Sequence, residues 1–284
     1  MSLSSGQLDA FFEVTQCRNF SRAAKNLGLT QPALSQRILN LEYSMGVTLL
    51  IRETTGVRLT VAGEKLLRYC QTKVALEKEI LEDIDENDPT TIRGEIRIGT
   101  YSSVFRSVIV PALDPMMIHN PELRITSLVR ETYVLPRLLK SCEADFVVLD
   151  HEISQQGIES RLLGHETYIL ASSKRKQSRE DVFLDHDPED EITTKFLKRQ
   201  GLNASKIERS FMNDIYGIID GVERGWGVAV LPMHLIADNP KIKIIKSKRD
   251  LRLPVYLCFQ MQPFYTNLHR SVVETLTNEC RKYL

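Results

Sequence analysis

Near its N-terminus the chain holds two short helical patterns separated by a turn of a few residues. Ser21 stands at an N-cap position before the helix formers of residues 22–27, and Gly28 is typical of a helix end. Thr30 caps the next pattern, and Gly46 ends it. Apolar residues recur in this later pattern at helical spacing: Leu34, Ile38, Leu41 and Met45. The sequence therefore predicts two consecutive helices joined by a tight turn.

An earlier apolar stripe, from Leu8 to Val14, predicts one more helix that ends near Arg18. Three helices in about 40 residues form the helix-turn-helix arrangement, whose later helix can enter a DNA groove. Two short segments, Thr48–Arg52 and Val57–Thr60, flank a turn-rich tip. They predict a two-stranded wing.

The segment from Val61 to Glu86 lacks proline, and Gly63 alone interrupts its helix formers. At 1.5 Å per residue it predicts one helix of about 39 Å. Its apolar residues follow the spacing of a helix–helix seam: Leu67, Cys70, Val74, Leu81 and Ile84. The seam favours pairing with a second copy, and packing on its own domain remains the alternative. Residues 87–94, with Pro89 and Gly94, predict a hinge.

Beyond the hinge, apolar runs alternate with helical stretches and predict an α/β domain with a largely parallel sheet. The predicted strands are Ile96–Thr100, Ile125–Val129, Phe146–Leu149, Tyr168–Ala171, Val228–Leu231 and Val255–Phe259. The last stretch carries apolar residues on one face, from Leu268 to Cys280, and predicts a packed C-terminal helix.

Charge and cysteine usage limit the function classes. The net charge is zero, which argues against an indiscriminate binder of polyanions, yet residues 1–60 hold six basic and four acidic residues. The five cysteines show no Cys-x-x-Cys spacing, so neither zinc nor a disulfide framework is expected. Asp9 and Glu13 stand where a signal peptide would be apolar, and no apolar run reaches a membrane span. A cytoplasmic protein without a membrane partner is expected.

One set of motifs resembles the N-terminal domain of LysR-type transcriptional regulators. The matching segments are Phe20–Leu27, Thr30–Ile38, Leu41–Glu42, Gly46, Leu49–Arg52 and Leu59–Gly63. The remainder is similar to the family's co-inducer domain in its hinge, in the strand Gly94–Gly99 and in Gly225–Pro232. Three positions depart from the family pattern, and Arg37, in place of a usual glutamine, is the one that could alter base reading.

The resemblance implies an N-terminal all-α winged helix-turn-helix with a long linker helix, followed by a C-terminal α/β effector domain of two lobes, like periplasmic binding proteins. The expected boundaries are residues 1–60, 61–88 and 89–284. The implied partners are double-stranded DNA with a partly symmetric operator, a small-molecule effector, a homodimer or homotetramer of the chain, and RNA polymerase. No cofactor, metal or catalytic residue is expected.

The later helix carries the donors that read base edges. These residues are Gln31, Ser35, Gln36 and Arg37, and Pro32 could touch a thymine methyl group. Ser21, Arg52 and Arg58 are placed to hold phosphates. For each residue alone, a solvated helix face is an equal alternative, and for Ser21 that alternative is capping.

In the α/β domain, Thr100, Ser102 and Ser103 follow the first predicted strand, where a carboxylate or other small anion could bind. The resemblance adds the segments Glu131–Thr132, Asp150 and Asn213–Asp214 as walls of the effector cleft. Acids near an anion-binding turn would suit an amino acid, which carries both a carboxylate and an ammonium group. Solvated loop acids and a helix cap at Asp214 are the favoured alternative.

Several patterns have a second interpretation. The acids of residues 185–191 could hold a metal, although such loops are usually solvated. Gly221, Gly225 and Gly227 follow a helix, so they favour a helix stop and turn over a nucleotide-binding loop. Two other function classes remain: an enzyme with a DNA-binding appendage, which lacks any catalytic motif here, and an architectural DNA protein without a ligand.

Overall fold

The computed structural model describes residues 3–53, 56–84, 92–204 and 207–284. They form two compact units. The first comprises Met1–Ile92 with two later segments, Arg137–Ala144 and Gln262–Arg270, and the rest of the chain forms the second. Most of the predicted hinge lies outside the described residues. None of the described helices is long and apolar enough to cross a membrane.

The first unit contains three helices, a two-stranded wing and a long helix. In chain order they are α1 (Ser5–Cys17), α2 (Phe20–Asn26), α3 (Gln31–Met45), β1 (Leu50–Glu53), β2 (Gly56–Leu59) and α4 (Val61–Ile84). The strands pair antiparallel, with Leu50 opposite Leu59. The three helices, the wing and the long helix are confirmed.

The ends of α2 and α3 show which local signals decide the helix limits. Thr30 caps α3 as predicted, because its side chain accepts a hydrogen bond from the Ala33 amide at 3.3 Å, and Gly46 ends the helix in the left-handed region. The prediction that Ser21 caps α2 is wrong. Asn19 is the cap and accepts from the Arg22 amide at 2.9 Å, because α2 begins one residue before Ser21.

An apolar core holds the first unit together. Its fully buried side chains include Phe11, Leu34, Leu41 and Leu49. Burial of such residues is the main stabilising term in a small domain. On α4, Leu67 and Cys70 are buried, whereas Val74 and Leu81 are exposed. The seam predicted along α4 therefore divides into a half that supports this unit and a half that leaves apolar surface uncovered in the single chain.

After residue 92 the chain alternates strands and helices. The strands are β3 (Gly94–Thr100), β4 (Leu123–Val129), β5 (Phe146–Leu149), β6 (Ile158–Ser173), β7 (Val182–Asp185), β8 (Glu208–Phe211), β9 (Ala229–Pro232), β10 (Ile242–Ile245) and β11 (Leu251–Gln260). The helices are α5 (Ser102–Val104), α6 (Val110–His119), α7 (Leu135–Lys140), α8 (Ile192–Gln200), α9 (Ile215–Arg224), α10 (Met233–Ile236) and α11 (Asn267–Glu279), and a π-helical segment, Phe105–Ile109, joins α5 to α6.

The prediction of a largely parallel sheet is wrong. The seven-stranded sheet has the order β10-β6-β11-β5-β3-β4, with β9 also on β6. The pairs β3–β4 and β3–β5 are parallel, but every pair that involves β6 or β11 is antiparallel. The reason is that β6 and β11 are long strands that run antiparallel to each other, although strands β7 to β10 and helices α8 to α10 lie between them in sequence.

The same two strands connect two lobes. Strands β3, β4 and β5 attach to the C-terminal half of β11 and form the first lobe, whereas β9 and β10 attach to the C-terminal half of β6 and belong to the second. The second lobe also contains the parallel pair β7–β8 and helices α8, α9 and α10, packed on its own apolar core. The C-terminal helix α11 packs through Val272 and Leu276, as predicted.

Candidate DNA-reading surface and effector cavity

Helix α3 has one apolar face and one polar face. Leu34, Ile38 and Leu41 are buried in the core of the first unit. Positions three and four residues apart share a face of a helix, so this burial turns Gln31, Gln36 and Arg37 toward solvent. The exposed side chains carry amide and guanidinium donors, which pair with adenine and guanine edges in the major groove.

Side chains from three elements meet at this polar face. Ser21 donates a hydrogen bond to Oε1 of Gln31 at 3.1 Å, which joins α2 to the start of α3. Arg52, on the wing strand β1, donates to the Ser35 hydroxyl at 3.1 Å. Its guanidinium also lies 4.2 Å from the centroid of the Phe20 ring. The structure thus brings together four of the residues that the sequence singled out.

The remaining predicted DNA contacts are also exposed. Pro32 lies in the first turn of α3, and Gln36 donates to Asn40 one turn later at 2.9 Å. Arg58, on strand β2, pairs with Glu53 at 2.7 Å, and both side chains are largely in water, at 61% and 43% exposure. Exposed ion pairs contribute about 1 kcal/mol at most. The Arg58 guanidinium can therefore exchange its carboxylate for a phosphate at small cost.

The second unit contains a cavity of 540 Å³ lined by both lobes. Five of the predicted effector contacts line it: Ser102, Ser103, Glu131, Thr132 and Asp150. Three do not. Thr100 is fully buried in β3, and Asn213 and Asp214 precede α9, where the Asp214 carboxylate accepts hydrogen bonds from the Tyr216 and Gly217 amides. The side chain of Asp214 is thus a helix cap.

The Ser102–Ser103 turn forms one end of this cavity. It opens a helical segment that continues through α6, and no side chain caps its first turn. First-turn amides of a helix have no partner within the helix, so they attract anions. Ser103 is 7% exposed, and its hydroxyl has no hydrogen-bond partner among the described residues. A carboxylate could accept from this hydroxyl and from the adjacent amides.

The opposite wall is acidic. Seven carboxylates line the cavity, and its two cationic side chains are Arg130 and Lys195. The acids are Glu131, Asp150, Asp185, Asp187, Glu189, Asp190 and Glu191. Five of them lie in one segment, which the sequence had left open as a metal site. No three metal-binding side chains cluster suitably in the part of the chain that the structure describes.

Internal hydrogen bonds fix the shape of that acidic segment. Buried Asp185 pairs with Arg209 and accepts from the Thr193 hydroxyl at 2.5 Å. Arg209 also donates to the Asp190 carbonyl at 2.7 Å. Asp187 accepts from two backbone amides, and its hydrogen bond with His186 is the main cause that lowers the pKa of its carboxyl. The wall is therefore held in place before any ligand arrives.

A buried polar cluster next to the cavity has no counterpart in the sequence analysis. Glu166, in the middle of β6, is fully buried and accepts from Tyr101 at 2.9 Å, from Tyr168 at 3.2 Å and from His234 at 2.7 Å. Burial, with the nearby Glu166 charge, raises the pKa of Tyr101 and Tyr168 well above its ordinary value. Both phenols thus stay protonated. The available signal in the sequence was a glutamate between two apolar stretches of β6, Leu162–Leu163 and Tyr168–Leu170.

The family models match both parts of the chain. Residues 5–64 match the bacterial regulatory helix-turn-helix protein of the lysR family, and residues 90–281 match the LysR substrate binding domain. The transcriptional regulator HdfR of Yersinia pestis (strain Pestoides F) is 31% identical over 294 residues, which covers 95% of each protein.

Two solved structures share the fold over nearly the full length. ArgP from Mycobacterium tuberculosis has a TM-score of 0.81 at 20% identity and 98% coverage of both chains. Full-length LysG from Corynebacterium glutamicum with bound effector Arg has a TM-score of 0.78 at 16% identity and 99% coverage of both chains. Both similarities show that the second unit has the two-lobed fold of periplasmic binding proteins.

The matches decide between the function classes that the sequence left open. The family consists of transcription regulators and not of enzymes, so the α/β unit is a sensing domain. The family model of the LysR substrate binding domain covers residues 90–281, which is more than half of the chain, and the helix-turn-helix model covers residues 5–64. The chain therefore belongs to the LysR family of DNA-binding transcription regulators with an effector-binding domain.

Proposed function

We propose that this regulator binds a partly symmetric DNA operator through α3 and the wing, and that a small molecule in the cavity between its lobes controls that binding. We assign DNA reading to residues 1–60, pairing of two copies of the chain to residues 61–88, and effector sensing to residues 89–284. Exposed apolar side chains on α4, Val74 and Leu81 among them, support assembly as a homodimer or homotetramer. The regulator acts in the cytoplasm, with RNA polymerase as a further partner.

We infer that the effector carries both a carboxylate and a cationic group, as an amino acid does. The observation that carries this proposal is the pairing of the unpartnered Ser103 hydroxyl with the acidic wall of the same cavity. With Asp185 neutralised by Arg209, six carboxylates still face two cations in the lining of the cavity, and this excess disfavours a purely anionic ligand. We expect a carboxylate to bind at the turn, where the first-turn amides have no side-chain cap and Ser102 and Ser103 line the cavity.

The roles differ among the predicted contacts. Ser102 and Ser103 receive the carboxylate, and Glu131, Thr132 and Asp150 contact the cationic part. Thr100, the buried last residue of β3, supports the turn from the side away from the ligand. Asn213 and Asp214 fix the start of α9 and do not contact the ligand. LysG, which shares the fold, has a bound effector Arg, and this supports an amino acid as the ligand class.

One experiment tests both halves of the proposal. Fluorescence anisotropy measures binding of the full chain to a duplex from the DNA upstream of its own gene, with and without each amino acid. Calorimetry then measures the affinity of the amino acids that act, and of dicarboxylates without an ammonium group. We expect specific DNA binding that an amino acid changes, and no binding of the dicarboxylates.

Ser103→Ala removes the hydroxyl at the turn, and we expect it to weaken effector binding about tenfold or more, since the bond is to a charged group. The matched control is Ser127→Ala, at an exposed position of β4 outside the cavity. Tight binding of a dicarboxylate with no response to amino acids contradicts the ligand class. Failure to bind any upstream duplex at low salt contradicts the DNA half.

A further inference from the structure

Glu166 lies where the sheet passes from one lobe to the other. It stands on β6 opposite Leu253 of β11, two residues before Tyr168, where the pairing of β6 with β9 begins. Its hydrogen-bond partners come from both lobes, because Tyr101 directly follows β3 of the first lobe and His234 lies in α10 of the second. The side chain of Glu166 has no exposure to solvent. A buried carboxylate of this kind is costly unless all its partners are in place.

The cluster continues from His234 to the effector turn. His234 Nδ1 lies 2.7 Å from the Ser107 hydroxyl, which donates to the Ser103 carbonyl at 2.6 Å. From the other side, the Tyr216 hydroxyl on α9 donates to the Ser102 carbonyl at 3.2 Å. Two residues of the second lobe are thus linked to the turn that forms one end of the cavity, Tyr216 by a direct hydrogen bond and His234 through Ser107.

The number of protons available in the cluster determines the direction of each hydrogen bond. The single hydroxyl proton of Ser107 goes to the Ser103 carbonyl, so Ser107 accepts from Nδ1–H of His234. The two tyrosines donate their protons to Oε2 of Glu166. One further proton therefore lies in the 2.7 Å bond between His234 Nε2 and Glu166 Oε1. Without it, a buried carboxylate would face an imidazole lone pair.

We propose that Glu166 is a positioning residue that sets the effector turn and couples it to the second lobe. It holds the residue before the turn through Tyr101, and it orients His234, which holds the turn through Ser107. Effector binding at the turn and the spacing of the lobes are then set by one hydrogen-bonded cluster. The assignment rests on the proposed function of the cavity, but the bonds themselves can be tested without any effector.

Two substitutions at the same position separate geometry from charge. In Glu166→Gln, the amide oxygen accepts from both tyrosines and the amide nitrogen donates to Nε2 of a neutral His234, so every bond is kept. In Glu166→Leu the shape is similar, but Tyr101, Tyr168 and His234 lose their partner. The glutamine variant is therefore the conservative rescue, and the leucine variant breaks the coupling.

The primary readout is hydrogen exchange of the Phe105 amide in the full-length protein, because this amide donates to the Tyr101 carbonyl at 3.0 Å, whereas the first-turn amides before it have no helical partner. We expect Glu166→Leu to speed it about tenfold or more, since one or two hydrogen bonds that fix the turn are lost, and Glu166→Gln to leave it within about threefold. ¹⁵N spectra of the imidazole should show two protonated nitrogens of His234 or one shared proton in the wild type, and a protonated Nδ1 alone in Glu166→Gln.

A second variant covers the case in which Glu166→Leu fails to fold. Ser107→Ala leaves Glu166 and its partners intact but cuts the link from His234 to the Ser103 carbonyl, so exchange of the Phe105 amide should again speed. Thr277→Val is the matched control, because its hydroxyl also bonds the carbonyl four residues earlier, at 2.6 Å, in the distant helix α11. It should leave the turn unchanged.

Effector binding gives the second readout, with L-arginine as the probe. We expect Ser107→Ala and Glu166→Leu to weaken it about tenfold, and Glu166→Gln to retain it. Unchanged exchange of the Phe105 amide in Ser107→Ala, or equally fast exchange in the glutamine and leucine variants, overturns the positioning role. If L-arginine does not bind the wild type at all, that result excludes arginine as the effector, and the exchange data still decide the role of Glu166.

Discussion

In the first unit, the charged side chains lie in water above an apolar core, whereas in the second unit several lie inside the protein and are paired. Arg58 and Glu53 are 61% and 43% exposed, but Asp185 is 3% exposed and Glu166 is fully buried. Exposed charges can change partner at little cost, and buried ones cannot. The reading surface is thus free to exchange contacts with DNA, and the sensing cavity has its shape fixed beforehand.

This contrast predicts that the second unit is most sensitive at a buried ion pair. We expect Arg209→Met to destabilise that unit by about 3–5 kcal/mol, because it leaves the buried Asp185 carboxylate unpaired. Arg209 also holds the Asp190 carbonyl, so the acidic wall should loosen as well. Denaturant unfolding followed by tyrosine and tryptophan fluorescence measures the loss.

The matched control for that prediction is Arg179→Met. Its guanidinium lies 3.7 Å from both Asp181 and Glu208 and is 56% exposed. We expect a change of at most about 1 kcal/mol, since exposed pairs contribute little. Equal effects of the two substitutions would mean that burial does not separate these charges, and the contrast between the units would fail.

In the first unit, the sensitive positions should instead be those where backbone and apolar core meet. A Cβ on Gly63, at the start of α4, would stand 2.2 Å from the Leu49 carbonyl oxygen and 2.9 Å from the Leu59 side chain. We expect Gly63→Ala to destabilise the unit by about 1–3 kcal/mol, as overpacked cores do. Differential scanning calorimetry measures the change as a lower melting temperature.

Gly6 in α1 provides the opposite case within the same unit. A Cβ there would meet only the end of the flexible Arg37 side chain, at 3.7 Å. Gly6→Ala should therefore stabilise the unit by about 0.5–1 kcal/mol through the better helix propensity of alanine. A destabilising Gly6→Ala would show that close backbone approach is not what distinguishes Gly63.

The same contrast explains how much the sequence could predict. The helix-turn-helix rests on local signals, such as the Thr30 cap and Gly46, and these were sufficient. Even there, Asn19 and Ser21 are both good caps, and which one acts depends on where α2 starts. The short predicted strand Tyr168–Ala171 is part of β6, because pairing with β11 extends it over polar residues that no local pattern marks.

The cavity shows the same limit for the site. Ser102 and Ser103 were found because they follow a strand end, which is a local feature. Glu166, Arg209 and His234 come from separate elements, and their roles depend on partners 68 and 24 positions away in sequence. One sequence without an alignment contains no sign of such pairs. Asp214 is the opposite case. The alternative interpretation of a helix cap, which depends only on neighbouring residues, is the one that the structure confirms.

The smallest effect on stability, and the most specific effect on function, should come from the reading surface. Arg58→Ala should change the free energy of unfolding by less than about 0.5 kcal/mol, because its ion pair is exposed. It should weaken binding on all duplexes alike and lower the slope of log affinity against log salt by about 1, as the loss of one phosphate contact does.

Arg37→Ala should behave differently on the same surface, because the role proposed for its guanidinium on α3 is to read base edges. We expect it to reduce the preference between operator and mismatched duplexes and to leave the salt slope closer to that of the wild type. Arg124→Ala, at an exposed position of β4, is the control and should change neither quantity. If both Arg37→Ala and Arg58→Ala lower the slope equally and keep the base preference, Arg37 contacts a phosphate rather than a base. The exposed charges of this unit would then provide affinity without sequence reading, and specificity would have to come from the amides of Gln31 and Gln36.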